Sequence, residues 1–162
     1  MADNHARMEK SSAALASLGI AFQRFEAVNG RALSAAEIAK VYDAKANRTR
    51  FRHPLVAGEL GCYLSHIAIW NMMADSAAEG AVILEDDFAA RPELGQVLAA
   101  LAADPRAWDM VKLYARRPDA KMLDHQPLCK GFTLATPYQI PNTTLGYVLR
   151  KPAAVKLLAR SQ

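Results

Sequence analysis

The sequence predicts a single α/β domain, residues 1–162, with a partly parallel sheet flanked by helices. Short apolar, β-branched runs alternate with segments of helical period along the chain, which is typical of such sheets. The clearest apolar run, residues 81–84, stops abruptly at three carboxylates. The length of 162 residues, with 52% hydrophobic and 22% charged residues, suits one globular domain.

The elements of the first half are predicted from the spacing of apolar residues and from capping and turn signals. Ser34 and Glu37 have the spacing of a capping box and open a helix that runs to about Tyr42. Asn29-Gly30 is a strong turn signal after a strand-like segment. The predicted elements are a helix at 5–18, a strand at 20–28, a helix at 34–42, a basic loop to Pro54 and a helix at 57–73.

The second half alternates strands and helices more regularly. Pro92 occupies the first turn of a segment whose leucines recur at helical spacing, and Lys151-Pro152 opens the last helix. The predicted elements are strand 81–85, helix 92–103, strands 109–114, 131–135 and 145–150, and a final helix from 151.

The acidic run Glu85-Asp86-Asp87 is the strongest candidate for chemistry. Strand side chains alternate between faces, so Glu85 and Asp87 are expected on one face and Asp86 on the other. Two carboxylates on one face suit Mg²⁺ or Mn²⁺, and three adjacent negative charges require a cation or donors nearby. The other reading is a solvated strand end whose acids cap the next helix.

The helix at 57–73 carries a second group of polar side chains. Glu59, Cys62 and His66 stand at i, i+3 and i+7, which places them on one face. The spacing of Cys62 and His66 fits zinc, but only His125 and Cys129 could supply a second pair, so structural zinc is disfavoured.

The charge of the chain is concentrated near its start. Residues 1–57 hold nine Lys/Arg against five Asp/Glu, and residues 58–162 hold eleven of each. The cluster Lys45, Arg48, Arg50 and Arg52 could contact anionic lipid head groups, a phosphorylated saccharide or nucleic acid, or be a solvated loop. No nucleic-acid motif accompanies it, so nucleic acid ranks last. No segment resembles a signal peptide or a membrane span, which predicts a cytoplasmic protein.

Five stretches of the sequence occur together in a characteristic order. The most specific are Gly58-Glu59-x-Gly61-Cys62-x-x-Ser65-His66 and Glu85-Asp86-Asp87; the supporting ones are 25–30, 108–113 and 146–149. From about Asn4 to Leu158, the series resembles glycosyltransferase family 25, the lipopolysaccharide (lipooligosaccharide) biosynthesis glycosyltransferases.

The resemblance implies a GT-A type, Rossmann-like nucleotide-sugar fold. It also implies transfer of galactose or glucose from a UDP-sugar to a lipid-linked saccharide acceptor, at a site peripheral to the inner membrane. By this analogy Asp87 binds the Mn²⁺ or Mg²⁺ that bridges the donor diphosphate, with Glu85 as second ligand. Glu85, Asp86 and Arg7 would contact the donor.

The resemblance further implies inversion at the anomeric carbon, which needs a base to deprotonate the acceptor hydroxyl. Glu59, His66 and Asp109 are the candidates, and the sequence does not choose among them.

Both ends look short beside the family, which begins with an apolar strand and continues beyond the last helix. We therefore expect a truncated member, and the alternative is a non-catalytic saccharide-binding or interaction module that keeps the fold. A receiver-type signalling domain also places acids after a strand, but on its first strand. Here some eighty residues precede the run, and Asp109 begins its strand instead of ending it.

Overall fold

The computed structural model describes residues 5–51, 53–117 and 119–161, which form two compact units. Unit 1 comprises residues 24–79 and 151–161, and unit 2 comprises residues 5–23 and 80–150. The described helices are α1 (His5–Ser17), α2 (Ala35–Val41), α3 (Ala44–Arg50), α4 (Ala57–Asp75), α5 (Leu94–Ala102) and α6 (Lys151–Ala159). The described strands are β1 (Gly80–Leu84), β2 (Met110–Lys112), β3 (Met122–Cys129), β4 (Phe132–Pro137) and β5 (Gly146–Arg150).

Unit 1 is helical and is organised around α4. Leu60 and Met73 of α4 are buried, and α6 packs on this helix through its buried Ala153 and Ala154. Lys151 fixes the start of α6, because its backbone N–H donates to the carbonyl of residue 79 (2.8 Å) and its ammonium to that of residue 76 (2.5 Å).

The 3₁₀ turn Gly30–Ala32 lies against α4 in unit 1. Gly30 and Gly61 have no side chain, and the two backbones approach so closely that an added Cβ on either residue would meet backbone atoms within 3 Å. The Ser65 hydroxyl accepts from the Val28 N–H (2.9 Å) and donates to the Gly61 carbonyl (2.7 Å). Two residues of the Gly-Glu-x-Gly-Cys-x-x-Ser-His block therefore hold the chain onto this helix.

Unit 2 contains a three-stranded antiparallel sheet in the order β1-β5-β2. Leu84 pairs with Gly146, and Lys112 with Tyr147, so the last residues of β1 and β2 meet the first residues of β5 at one edge. Tyr147 and Leu149 are almost fully buried and form the centre of this core. The hairpin β3-β4 forms a second sheet, and β3 contacts α5.

The α/β class is confirmed, but the expected parallel pairing is not found. Every strand pair among residues 5–51, 53–117 and 119–161 is antiparallel. β1 and β2 do run in the same direction, as the alternation of elements suggested. They are not neighbours because β5 returns between them and pairs with both.

Three local predictions also differ from the structure. The expected strand at 20–28 is irregular, and its Phe22 is 47% exposed. Part of the predicted basic loop is instead α3, whose first N–H groups are capped by the Asp43 carboxylate. The hairpin strand β3 was not predicted, because its sequence is polar and contains Pro127. The capping box of Ser34 and Glu37 is confirmed.

None of the helices in the described residues is both long and apolar enough to cross a bilayer.

An ion pair with a buried carboxylate holds the loop after α5. The Asp104 side chain is 2% exposed and accepts from the Arg106 guanidinium at 2.7 and 2.8 Å. These hydrogen bonds lower the pKa of Asp104 below its ordinary value of 3.8, against the opposing effect of burial. Arg150 also donates to the Asp104 carbonyl (2.9 Å), which links the loop to β5.

This pair makes the stability of the protein sensitive to acid. The native carboxylate has the lower pKa, so its contribution is complete above pH 3.8 and is lost as the pH falls through the native pKa. We expect Asp104→Asn to lower the unfolding temperature at pH 7 and to flatten its decline below pH 3.8. Thermal unfolding from pH 2.5 to 7 measures both, with Asp75→Asn as an exposed control. If the unfolding temperature fell equally steeply below pH 3.8 in wild type and in Asp104→Asn, the lowered pKa of Asp104 would be contradicted.

Candidate functional site

The acidic run of unit 2 lies at the sheet edge where β1 ends. The Glu85 N–H still donates to the Leu145 carbonyl (2.9 Å), which continues the pairing by one residue. Asp86 and Asp87 then form a turn outside the sheet. The run is therefore one residue of extended backbone followed by two residues of turn.

Arg7 of α1 binds both turn carboxylates. Its Nη2 lies 2.7 Å from the Asp86 Oδ1 and 2.8 Å from the Asp87 Oδ2. The Ser11 hydroxyl, also on α1, donates to the Asp86 carbonyl (2.7 Å) and is buried. The expectation that Asp86 points away from Asp87 is therefore wrong, because β1 ends at Leu84 and strand alternation does not apply beyond it.

Glu85 is held separately, by residues of β2 and of the segment before β5. Thr144 donates a hydrogen bond to the Glu85 carboxylate. The Lys112 ammonium donates to the Thr143 carbonyl (2.7 Å) and lies 5.1 Å from the centre of the Tyr147 ring. Burial lowers the pKa of Lys112, and the negative charge of Glu85 partly opposes this shift.

The site therefore balances three carboxylates with two cations, Arg7 and Lys112, within one unit. The Asp86 and Asp87 oxygens converge on one positively charged nitrogen, and such hard oxygen donors fit Mg²⁺ or Mn²⁺. Across the described residues, however, Glu85 does not join these two carboxylates in a three-ligand group. Asp86 and Asp87 are therefore the two carboxylates that could together hold a cation in the place that the Arg7 nitrogen now occupies.

The candidate residues of α4 belong to unit 1. The Glu59 carboxylate accepts from the Val56 N–H (2.8 Å) and so caps this helix. Cys62 and His66 bring a sulfur and a ring nitrogen within 4.8 Å of each other, as the shared face predicted. His66 is 6% exposed, and its ring centre lies 6.4 Å from that of Trp70.

Asp109, the third candidate base, lies at the other end of the unit 2 sheet. Its carbonyl accepts from the Arg150 N–H (3.1 Å), beside the pairing of Met110 with Leu149. Glu85 lies beyond the opposite end of β5. The structure therefore does not bring Asp109 together with the acidic run. Asp109 directly precedes β2, whereas the sequence predicted that it would be the first residue of this strand.

Sequence reasoning missed three residues that surround the carboxylates: Ser11, Lys112 and Thr144. Lys112 stands in the stretch 108–113, so a signal was present, but nothing in the sequence assigned it to Glu85. Ser11 and Thr144 carry no sequence signal, because a hydroxyl residue on a helix or loop is ordinary.

Fold and site together define an α/β protein with a charged, acidic edge on a small sheet. The sequence model of glycosyltransferase family 25, described as an LPS biosynthesis protein family, matches residues 1–162. The chain belongs to glycosyltransferase family 25.

Curated relatives agree with this membership. A glycosyltransferase 25 family member of Anopheles gambiae is 31% identical over 156 residues, covering 87% of this chain and 24% of that protein. Procollagen galactosyltransferase 1 of Danio rerio is 28% identical over 160 residues, covering 94% of this chain and 26% of that protein. A Bos taurus protein named "Probable inactive glycosyltransferase 25 family member 3" is 26% identical, with the same two coverages. The chain thus spans about a quarter of the length of these relatives.

Proposed function

We propose that this chain acts in the transfer of a hexose, galactose or glucose, from a UDP-sugar to a saccharide acceptor. Membership of glycosyltransferase family 25 over the whole chain is the observation that carries the proposal. The acidic edge of unit 2 supports it, because it gathers carboxylates and cations in one place. On this proposal the two units are parts of a GT-A type nucleotide-sugar fold.

Asp87 is our proposed metal ligand at this edge. The geometry favours Asp86 as its partner, since both carboxylates already converge on one cation, whereas Glu85 is engaged by Thr144. A bound Mn²⁺ or Mg²⁺ would neutralise the negative charge that develops on the diphosphate leaving group. Arg7 would then contact the donor phosphates, and Glu85 the nucleotide sugar.

The acceptor is proposed to be a lipopolysaccharide-type, lipid-linked saccharide, in keeping with the family description. The Danio rerio relative is named a procollagen galactosyltransferase, so its name does not support a lipid-linked acceptor. Only the family description supports this choice. A lipid-linked acceptor would place the protein at the cytoplasmic face of the inner membrane. We propose inversion, with the base still open among Glu59, His66 and Asp109.

A non-catalytic saccharide-binding or interaction module is the second candidate. Two observations favour it: a relative that is named as probably inactive, and carboxylates that already have partners within unit 2. Such a module would bind the acceptor saccharide without turnover.

Calorimetry with UDP-galactose and UDP-glucose, with and without Mn²⁺, tests the proposal on the chain as given. We expect heat of binding for at least one donor, and we expect it only when Mn²⁺ is present. Saccharide binding without donor binding, from folded protein, would favour the module. Donor binding of equal strength after chelation would contradict the metal assignment.

A further inference from the structure

The helix α3 and the described residues after it, 51 and 53–56, carry a set of exposed cations and apolar side chains in unit 1. Lys45, Arg48 and Arg50 are all exposed, and none of them forms an ion pair with another described residue. Arg52, the fourth cation of the predicted cluster, lies outside the described residues.

Large apolar side chains are exposed beside these cations. Phe51 is 67% exposed, Val56 62% and Leu55 42%. A single exposed apolar residue on a protein surface needs no explanation, but several close together mark an interaction site. Here they occur within six residues of one another, directly after the basic helix.

Hydrogen bonds hold the backbone that carries these side chains. Asn47 is buried, and its amide donates to the His53 carbonyl (2.9 Å). The Leu55 N–H donates to the Tyr42 hydroxyl (3.2 Å). The segment is therefore fixed at two points, although its apolar side chains remain in solvent. A fixed backbone lowers the entropy that must be lost when those side chains bind a partner.

We propose that residues 44–51 and 53–56 dock unit 1 on an anionic lipid surface. Lys45, Arg48 and Arg50 would bind the acidic head groups, and Phe51, Leu55 and Val56 would enter the boundary between head groups and acyl chains. Neighbouring cations and apolar side chains match the two layers of that boundary. An acidic polymer such as nucleic acid would use the cations and leave the aliphatic side chains without a role. The inference deepens the membrane location proposed above by naming the segment that binds lipid, and its evidence is the surface of unit 1, not the transfer reaction.

Co-sedimentation of the whole chain with vesicles tests the proposal. One set of vesicles contains phosphatidylcholine alone, and in the other half of the lipid is phosphatidylglycerol. We expect binding to the anionic vesicles and little to the neutral ones, with weaker binding at high salt. Lys45→Gln combined with Arg48→Gln should weaken binding about tenfold or more, because each surface cation contributes independently. Phe51→Ser should weaken it about tenfold through the lost apolar burial.

Matched control variants change the same residue types elsewhere on the surface. Lys10→Gln combined with Lys130→Gln controls for net charge, and Ile140→Ser, at a residue that is 82% exposed, controls for exposed apolar area. Both controls should bind as the wild type does.

Three results would overturn the proposal: no binding, equal binding to both kinds of vesicle, or full binding by either test variant. Thermal unfolding checks that each variant is folded, and Val56→Ser replaces Phe51→Ser if the latter changes the unfolding temperature. The vesicle experiment contains no donor or acceptor, and the calorimetry contains no lipid, so failure of one leaves the other intact.

Discussion

Replacing Asp87 by Asn is expected to abolish metal-dependent donor binding and to reduce any transfer activity by about 10²–10³-fold. The substitution keeps the size of the side chain but removes one of the two charges that converge on Arg7. A neutral amide is a poor ligand for Mn²⁺, and the ion would retain a single carboxylate from this pair. The Asp87 side chain is 49% exposed, so the fold should be little affected.

Donor titrations of wild type and Asp87→Asn, each with Mn²⁺ and after chelation, measure this effect. Asp75→Asn, an exposed acid at the end of α4, is the matched control and should leave donor binding unchanged. Asp86→Asn distinguishes the two ligand pairs. It should weaken Mn²⁺-dependent binding if Asp86 is the second ligand, and Glu85→Gln should do so if Glu85 is. If Asp87→Asn kept its Mn²⁺-dependent donor binding, the assignment of Asp87 as a metal ligand would be wrong.

Most of the helices could be predicted from the sequence, because period and capping are local properties. Ser34 with Glu37 marked the start of α2, and Lys151-Pro152 marked that of α6. α3 was missed because its polar sequence lacks an apolar stripe, and Asp43 supplies its cap instead. The insertion of β5 between β1 and β2 is a non-local choice, which the order of elements along the chain does not determine.

The candidate site was predicted in part for a similar reason. The acidic run at the end of β1 was evident from its sequence, but the partners of its carboxylates were not. They depend on where the strand gives way to a turn, since one further residue of strand would have separated Asp86 from Asp87. Motif residues of α4 also have local structural roles that a motif does not reveal. Glu59 caps the helix, while Gly61 and Ser65 hold the backbone of residues 28–30.

The packing of the turn Gly30–Ala32 on α4 predicts a large loss of stability for Gly30→Ala. An added Cβ would overlap the Ala57 carbonyl oxygen and lie 2.9 Å from the Gly61 nitrogen. Both atoms belong to the backbone, so no rotamer change relieves the overlap, and the turn must move away from the helix. We expect a cost of about 3 kcal/mol, which includes weakening of the nearby bond from the Val28 N–H to the Ser65 hydroxyl.

Gly58→Ala in the same helix provides a matched control, because its Cβ would meet nothing within 4 Å. Alanine is the better helix former, so this variant should be more stable by about 0.5–1 kcal/mol. Urea unfolding followed by circular dichroism should therefore move the two midpoints in opposite directions. If Gly30→Ala were as stable as Gly58→Ala, the close approach of the turn to α4 would be wrong. Shifts of the two midpoints in opposite directions would show that the Gly-Glu-x-Gly block fixes this turn through packing, whatever its residues contribute to chemistry.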